Sequence, residues 1–199
     1  MTERLLDRVV GSPAVYDLVQ VLAGYPLLSR RLRQLLGPTQ HKTILDAGAG
    51  TGALGSLVDD TGSYVALEVD QQKIARLRHR RPGAEVICGS VSSIPLPDDS
   101  VDLSVLVNVA HHLTHDDLEC ALSELSRVTR DRLILADPVA NGPLTGRVLW
   151  LIDRGSYRRT ATELRSAVDR HFDVEHVGRL TLLHRFVLIS ARVRQRAAV

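Results

Sequence analysis

Apolar positions recur at helical spacing through the first forty residues and then change to short unbroken runs. Val15, Leu18, Val19 and Leu22 share one face of a helix that opens at Ser12-Pro13, an N-cap followed by a first-turn proline, and stops at Gly24. A second helix from Pro26 sets Leu28, Leu32, Leu35 and Leu36 on one side and ends at Gly37-Pro38. Beyond it, strands are predicted at 43–47 (TILDA), 63–69 (SYVALEV), 84–88, 102–107 (DLSVLV) and 132–136 (RLILA). Their lack of polar alternation suits strands covered on both faces. Helical patterns interleave with them: after the glycines of 48–52 through Val58, at 71–81 closed by Pro82-Gly83, and at 115–128. Residues 143–171 return to helical periodicity, and two β-rich runs, 172–180 and 184–193, close the sequence.

Strands alternating with helices specify βαβ units and a parallel sheet, whereas the connection between the last two runs is too short for a parallel crossover. The expected architecture is α/β: a Rossmann-like, doubly wound, mostly parallel sheet of about seven strands, ending in an antiparallel hairpin, with an N-terminal helical cap. No linker divides the pattern, so one domain is expected over 1–199, with the cap at 1–40, the core at 41–137, and further helices and the hairpin at 138–199. At 44% hydrophobic and 24% charged, the 199 residues can bury a full core without disulfides or metal. The two cysteines, Cys88 and Cys120, make no disulfide framework and no metal-ligand set, which fits a reducing, cytoplasmic setting; Cys88 is expected to fill a strand end in the core. No apolar run approaches the ~20 residues of a membrane span, and the polar start is unlike a signal peptide. A net charge of +2 does not argue for nucleic acid. The basic run Arg76-Leu77-Arg78-His79-Arg80-Arg81 shares its helix with the apolar Ile74 and Leu77 and has no interleaved aromatic, so it reads as a solvated face.

The segment Ile44-Leu45-Asp46-Ala47-Gly48-Ala49-Gly50-Thr51-Gly52 carries the most chemistry. A strand entering Gly-x-Gly-x-Gly brings bare backbone against a ligand at the carboxyl end of the sheet, where a Cβ would obstruct either the turn or the approach. Glu68, twenty residues beyond Gly48 and ending the second strand, is placed to accept both hydroxyls of a ribose. Gly48-x-Gly50-x-x-Ala53 also satisfies the dinucleotide fingerprint, so a nicotinamide cofactor is the rival. Asp46 decides between them. A carboxylate at the mouth repels a diphosphate, by about 1 kcal/mol in water and more when partly buried, but favours a cation. S-adenosylmethionine carries an ammonium and a sulfonium.

With these residues in place, the sequence resembles the class I S-adenosylmethionine-dependent methyltransferases, in particular the small-molecule branch of the ubiquinone/menaquinone-biosynthesis type. Asp46-x-Gly48-x-Gly50-x-Gly52 is similar to the family's first motif, and Ala66-Leu67-Glu68-Val69-Asp70 to its second-strand end. Gly89-Ser90-Val91 with Ile94-Pro95-Leu96-Pro97-Asp98-Asp99-Ser100-Val101-Asp102, and then Leu106-Val107-Asn108-Val109-Ala110-His111-His112-Leu113, resemble the two segments that follow. The resemblance implies a cofactor site of Asp46, Ala47, Gly48, Ala49, Gly50, Gly52, Glu68, Val69, Ser90, Val91 and Asn108, with Glu68 on the ribose and Val69 against the adenine. Ser90 stands where the family usually has an acid, and Thr129-Arg130-Asp131 replaces its Pro-Gly-Gly turn.

Methyl transfer from a sulfonium is a one-step displacement that needs alignment and exclusion of water, and no ligand cluster at metal spacing is present. His111 and His112 follow the fourth strand beside the expected crevice, and an imidazole is the side chain whose ordinary pKa suits a base at neutral pH; His112 is the preferred candidate. Tyr16 (with Asp17) on the cap, Asp137 at the fifth strand's end, and Arg154, Tyr157 and Arg158 near Trp150 and Asp153 are the candidates for holding a small acceptor. Neither a nucleic-acid partner nor a membrane span is expected. The alternatives that stay open are a nicotinamide-dependent oxidoreductase and a catalytically silent cofactor-binding subunit.

Overall fold

A computed structural model describes residues 25–140, 157–182 and 185–194. The elements run in the order α1 (Tyr25–Leu36), β1 (Thr43–Ala47), β2 (Ser63–Glu68), α2 (Gln71–Arg80), β3 (Glu85–Cys88), β4 (Val101–Val107), α3 (His115–Val128), β5 (Thr129–Pro138), α4 (Ala161–His171), β6 (Phe172–Thr181) and β7 (Arg185–Val193), with single 3-10 turns at Leu54–Leu57 and Ala110–His112. One seven-stranded sheet has the order β3-β2-β1-β4-β5-β7-β6. β1 to β5 are parallel, and β7 runs antiparallel to both β5 and β6. The expected architecture is therefore present. Because the chain leaves β1 toward β2 on one side and returns to β4 on the other, the topological switch lies between β1 and β4, and the crevice opens at their carboxyl ends.

Two apolar layers clamp the sheet. Leu118, Leu122 and Leu125 of α3 and Leu164 and Val168 of α4 pack on Leu45, Leu67, Leu133 and Ile189. On the opposite face, Leu28, Leu32 and Leu36 of α1, with Leu54 and Leu57, cover Ile44, Leu103, Val105 and Ile134. The helices start where the sequence supplies caps: the Asp70 carboxylate accepts from Gln72 N, Thr114 Oγ1 from Asp117 N, and Thr160 with Glu163 forms a reciprocal capping box. The basic last turns of α2 and α4 face their carbonyl ends.

Four expectations need correction. The helix after the glycine loop is only the 3-10 turn Leu54–Leu57, and Val58 is already extended. Thr39 and Asp59 pull the chain out of helix: Asp59 Oδ2 accepts from Thr39 N at 2.9 Å and Thr39 Oγ1 at 2.7 Å, while Thr39 Oγ1 accepts from Asp59 N at 2.8 Å. Gly55, a poor helix former, sits in the middle of the turn, where a Cβ would fit tightly, 3.1 Å from the Tyr64 ring. Of the helical run expected over 143–171, residues 157–160 are irregular and Ala161–His171 is helix, while 141–156 lie outside the described residues. β5 begins at Thr129, directly after α3 and three residues earlier than expected, because Thr129 pairs with Val101 and its hydroxyl meets Ser104 Oγ at 2.5 Å in the core. Cys88 is also not a core residue: it is exposed, and Gln71 Nε2 donates to its sulfur at 3.0 Å.

The loop from Gly89 to Ser100, which borders the crevice, is fastened to α3. Arg127 donates to Glu124, to Asp98 Oδ1 at 2.8 Å, and to the carbonyls of Leu96 at 2.8 Å and Ile94 at 2.9 Å. Glu124 in turn accepts from Ile94 N at 2.8 Å, and the guanidinium beside it holds its carboxyl below the usual range. Arg127→Ala removes five donor contacts, among them the one to the half-buried Leu96 carbonyl, while Ile94 O keeps only its bond from Leu96 N. The expected loss is about 2 kcal/mol of stability, read in a thermal melt as a fall of roughly 4–8 °C in Tm; an unchanged Tm would show that the loop is held otherwise.

Candidate active site

Strand ends β1, β2 and β4 enclose a cavity of ≈ 440 Å³. Its wall includes Asp46, Gly48, Ala49, Gly50 and Thr51 from β1 and the glycine loop, Glu68 and Val69 from β2, Ser90 and Val91 from the loop after β3, and Asn108, Val109 and His112 after β4. Gly48 has a φ of +81°, and an added Cβ would lie 2.4 Å from Val109 Cγ2, so the first loop position must be glycine for both conformation and space. Gly50 also has a positive φ, +57°, but nothing lies within 4 Å of where its Cβ would point. Bare backbone there faces open cavity.

Glu68 ties this loop to the next strand. Its Oε2 accepts from Gly50 N at 2.7 Å, and its Oε1 accepts from Val69 N and Asp70 N, both at 3.0 Å. A carboxylate has about four acceptor positions, so hydroxyl donors from the cavity side can still be taken. Asp46 lies deeper, 3% exposed, and accepts from the Tyr64 hydroxyl at 2.6 Å. Burial raises its pKa to about 7 against the pull of the Tyr64 hydrogen bond, and the Glu68 charge adds to the rise.

The histidines part company. Asp137, 1% exposed, accepts from Val109 N at 3.1 Å and Ala110 N at 2.9 Å through Oδ2, and its Oδ1 lies 3.0 Å from His111 Nδ1. His111 is itself only 4% exposed, whereas His112 is exposed, lies on the cavity wall, and stands with its ring 4.1 Å from that of His111. His111 and Asp137, expected at the crevice, are thus buried and not among the residues of the wall. A buried carboxylate is satisfied by the N–H groups opening the Ala110–His112 turn, and this draws both residues beneath the wall.

Among the remaining expected site residues, Ser90, Val91 and Asn108 are on the wall; Asn108 adopts a φ of +56° as its N–H turns to Ala136 O. Val69 is 69% exposed at the rim, an apolar surface that a flat ring can cover. Ala47 is buried in the core and Gly52 packs against Leu77, so these two shape the loop without forming wall. Tyr157 and Arg158 are exposed, and neither is part of the wall. Tyr16 and Arg154 lie outside the described residues, as does most of the expected cap; α1 packs on the sheet and contributes nothing to the wall.

Several participants were not anticipated. Tyr64 reaches Asp46 because the two share a sheet face on adjacent strands, a parity that the spacing of the strands could have shown. Lys73, one of two lysines in the sequence, lies on the wall from the first turn of α2. Arg80 donates to Thr51 Oγ1 at 3.2 Å, and Arg81 packs against Gly52 and Gly55, so the end of the basic run braces the glycine loop and is not simply solvated.

Comparison with known proteins agrees with this geometry. Residues 45–135, from β1 into β5, match the family model described as a methyltransferase domain. A "Probable S-adenosylmethionine-dependent methyltransferase" of Mycolicibacterium smegmatis is 36% identical over 90 residues, 45% of this chain and 34% of that protein. A malonyl-[acyl-carrier protein] O-methyltransferase of Methylococcus capsulatus is 37% identical over 101 residues, 48% of this chain and 36% of that protein. The matched stretch therefore spans about a third of the length of these curated relatives. In fold, the chain is similar to a SAM-dependent methyltransferase from Aquifex aeolicus, with a TM-score of 0.67 at 20% identity, covering 83% of this chain and 89% of that one.

Residues 45–135 are thus similar to methyltransferase domains, and the curated relatives that this stretch resembles include S-adenosylmethionine-dependent ones. The residues present fit that cofactor: a buried carboxylate for its cationic end, a second carboxylate at the loop for its hydroxyls, and an exposed valine for its base.

Two outcomes follow. Glu68→Ala removes the tie to Gly50 and the carboxylate expected to accept a ribose, so S-adenosylhomocysteine binding should weaken by about 2–3 kcal/mol, measured by calorimetry; wild-type affinity in that variant would misplace the ribose. For Asp46, the folded-state pKa lies above the unfolded value of 3.8, so its contribution to stability is full below about pH 4 and is lost as pH rises toward 7. Binding of a cation favours the ionised form. Affinity for S-adenosylmethionine should therefore rise between pH 6 and 8, with proton release on binding at pH 6. Asp46→Asn should flatten the profile, and Tyr64→Phe should move it to higher pH because the hydroxyl that favours ionisation is gone. An equal slope in wild type and Asp46→Asn would assign the titration to another group.

Proposed function

We propose that this protein transfers a methyl group from S-adenosylmethionine to a small-molecule acceptor by in-line displacement. The observation that carries the reading is one cavity with buried Asp46 and the Glu68-tied glycine loop along one side and His112 on another. When bound, the cofactor supplies a methyl group already activated by its sulfonium. The chain's own residues do the rest. Asp46 receives the cationic end, Glu68 the hydroxyls, and the loop backbone sets the register of the molecule along β1. His112 faces the cavity with an exposed imidazole and is the group that takes a proton from a hydroxyl or ammonium acceptor as it is methylated.

The acceptor enters from the side of residues 157–158, where Tyr157 offers an exposed ring and Arg158 an exposed guanidinium suited to a carboxylate or phosphate. Tyr16 and Arg154 belong to the same reading. The domain is taken as one unit over 1–199. The absence of a helix long and apolar enough to cross a membrane among the described residues, and two exposed free cysteines, support a cytoplasmic setting. No observation favours nucleic acid as the acceptor. A nicotinamide-dependent oxidoreductase finds no support, since the domain match is to methyltransferases and the buried acid disfavours a diphosphate.

Titration with S-adenosylhomocysteine and, separately, NAD decides the cofactor: binding of the first and not the second is expected, and the reverse overturns the reading. With an acceptor found by screening for demethylation of labelled S-adenosylmethionine, His112→Gln should lower kcat by roughly 10²-fold with little change in the KM for the cofactor. Full turnover in that variant would remove the histidine from proton transfer; cofactor binding with no transfer to any acceptor would identify a silent subunit.

A further inference from the structure

The turn that carries His112 is held from its carbonyl side by a residue that no sequence motif marks. Arg159 Nη1 donates to Ala110 O at 2.7 Å and Nη2 to Leu113 O at 2.9 Å. Between them, Tyr157 N donates to His111 O at 3.1 Å, and the backbone of Arg159 is fixed in turn by Ala140 N, which donates to its carbonyl at 2.9 Å. The three carbonyls bracket His112 in sequence.

Arg159 is 3% exposed, and burial pulls its pKa below the ordinary arginine value. Removing a guanidinium from water is costly unless its donors are matched, yet Nε is buried with no hydrogen-bond partner. The group is therefore placed for its two Nη contacts. At the other end of the same turn, the Asp137 carboxylate accepts the Val109 and Ala110 N–H groups and meets His111. An anion at the N–H end and a cation at the carbonyl end complement the dipole of the turn, and both are buried. His112 is the exposed residue between these two grips, with its ring against His111 and on the cavity wall.

We infer that Arg159 is a positioning residue for the transfer reaction: from the start of the acceptor-side segment it fixes the Ala110–Leu113 carbonyls so that the His112 ring faces the cofactor cavity. This rests on the reading of that cavity as the methyl-transfer site. A charge buried for the fold alone has no reason to spread its donors across the two ends of one histidine turn.

The experiment compares Arg159→Ala and Arg159→Lys with wild type, each with and without S-adenosylhomocysteine. The His112 ring resonances are followed by NMR, assigned by their loss in His112→Gln. Arg159 is not on the cavity wall, so both variants should bind S-adenosylhomocysteine within about threefold of wild type. The His112 resonances should nevertheless move away from their wild-type positions and lose their response to the ligand, and kcat should fall at least tenfold with the KM for cofactor unchanged. Lysine should not restore them, because a single ammonium is a point donor where two carbonyls must be bridged. Should Arg159→Ala fail to fold, Arg159→Lys, which keeps the charge and the apolar stem, decides alone. Wild-type His112 resonances in the lysine variant, or in an alanine variant that is merely less stable, overturn the proposal. Failure of the wild-type protein to bind S-adenosylhomocysteine overturns the cofactor reading instead, and the His112 resonances without ligand still decide the role of Arg159.

Discussion

One carboxylate holds the cavity together. Glu68 accepts main-chain hydrogen bonds from Gly50 on the loop after β1 and from Val69 and Asp70 at the end of β2, so the positions of two neighbouring strand ends are set by one side chain. Charge-assisted bonds to backbone N–H groups are among the stronger ones available to a protein. The glycines make this possible by leaving the loop free to turn its N–H inward, and Val109 fills the space where a Cβ on Gly48 would stand. The loop's shape is therefore a joint property of β1, β2 and the turn after β4.

Asp46 shows a different use of a carboxylate. In the proposed reading its place next to the glycine loop makes it a selector of charge; burial, with a smaller push from Glu68, raises its pKa to about 7, while the Tyr64 hydrogen bond pulls toward the anion. A cationic ligand completes that ionisation, whereas a diphosphate meets either a neutral acid or a repelling one. On that reading, selectivity follows from the energy of burying one group and does not need a standing negative charge.

The arginines that brace the segments around the cavity act at one remove. Arg80 and Arg81 brace the glycine loop from α2, Arg127 fastens the loop after β3 to α3, and Arg159 grips the histidine turn. In each case the partners include loop or turn backbone, where carbonyls and glycines have no strand neighbour to satisfy or cover them. A chain with only two lysines has used the forked donors of arginine to hold the irregular segments around its cavity.

Hydrophobic periodicity alone specified the strands, the antiparallel hairpin and the helices α1 to α3, because burial on two faces of a sheet or along one stripe of a helix leaves a mark at fixed spacing. Glu68 and the glycines were legible for the same reason: their chemistry is tied to a position within a strand–loop–strand unit. Three-dimensional contact decided what spacing does not encode. The Thr39–Asp59 exchange cut the helix expected after the glycine loop to one turn, and Asp137 drew His111 inward while leaving His112 at the wall. Arg159, nearly fifty residues from the turn it grips, meets it only after the sheet has formed. Periodicity reports which side of an element is dry; it carries no record of which distant polar group will satisfy a given carbonyl, and that pairing is what separates the two histidines.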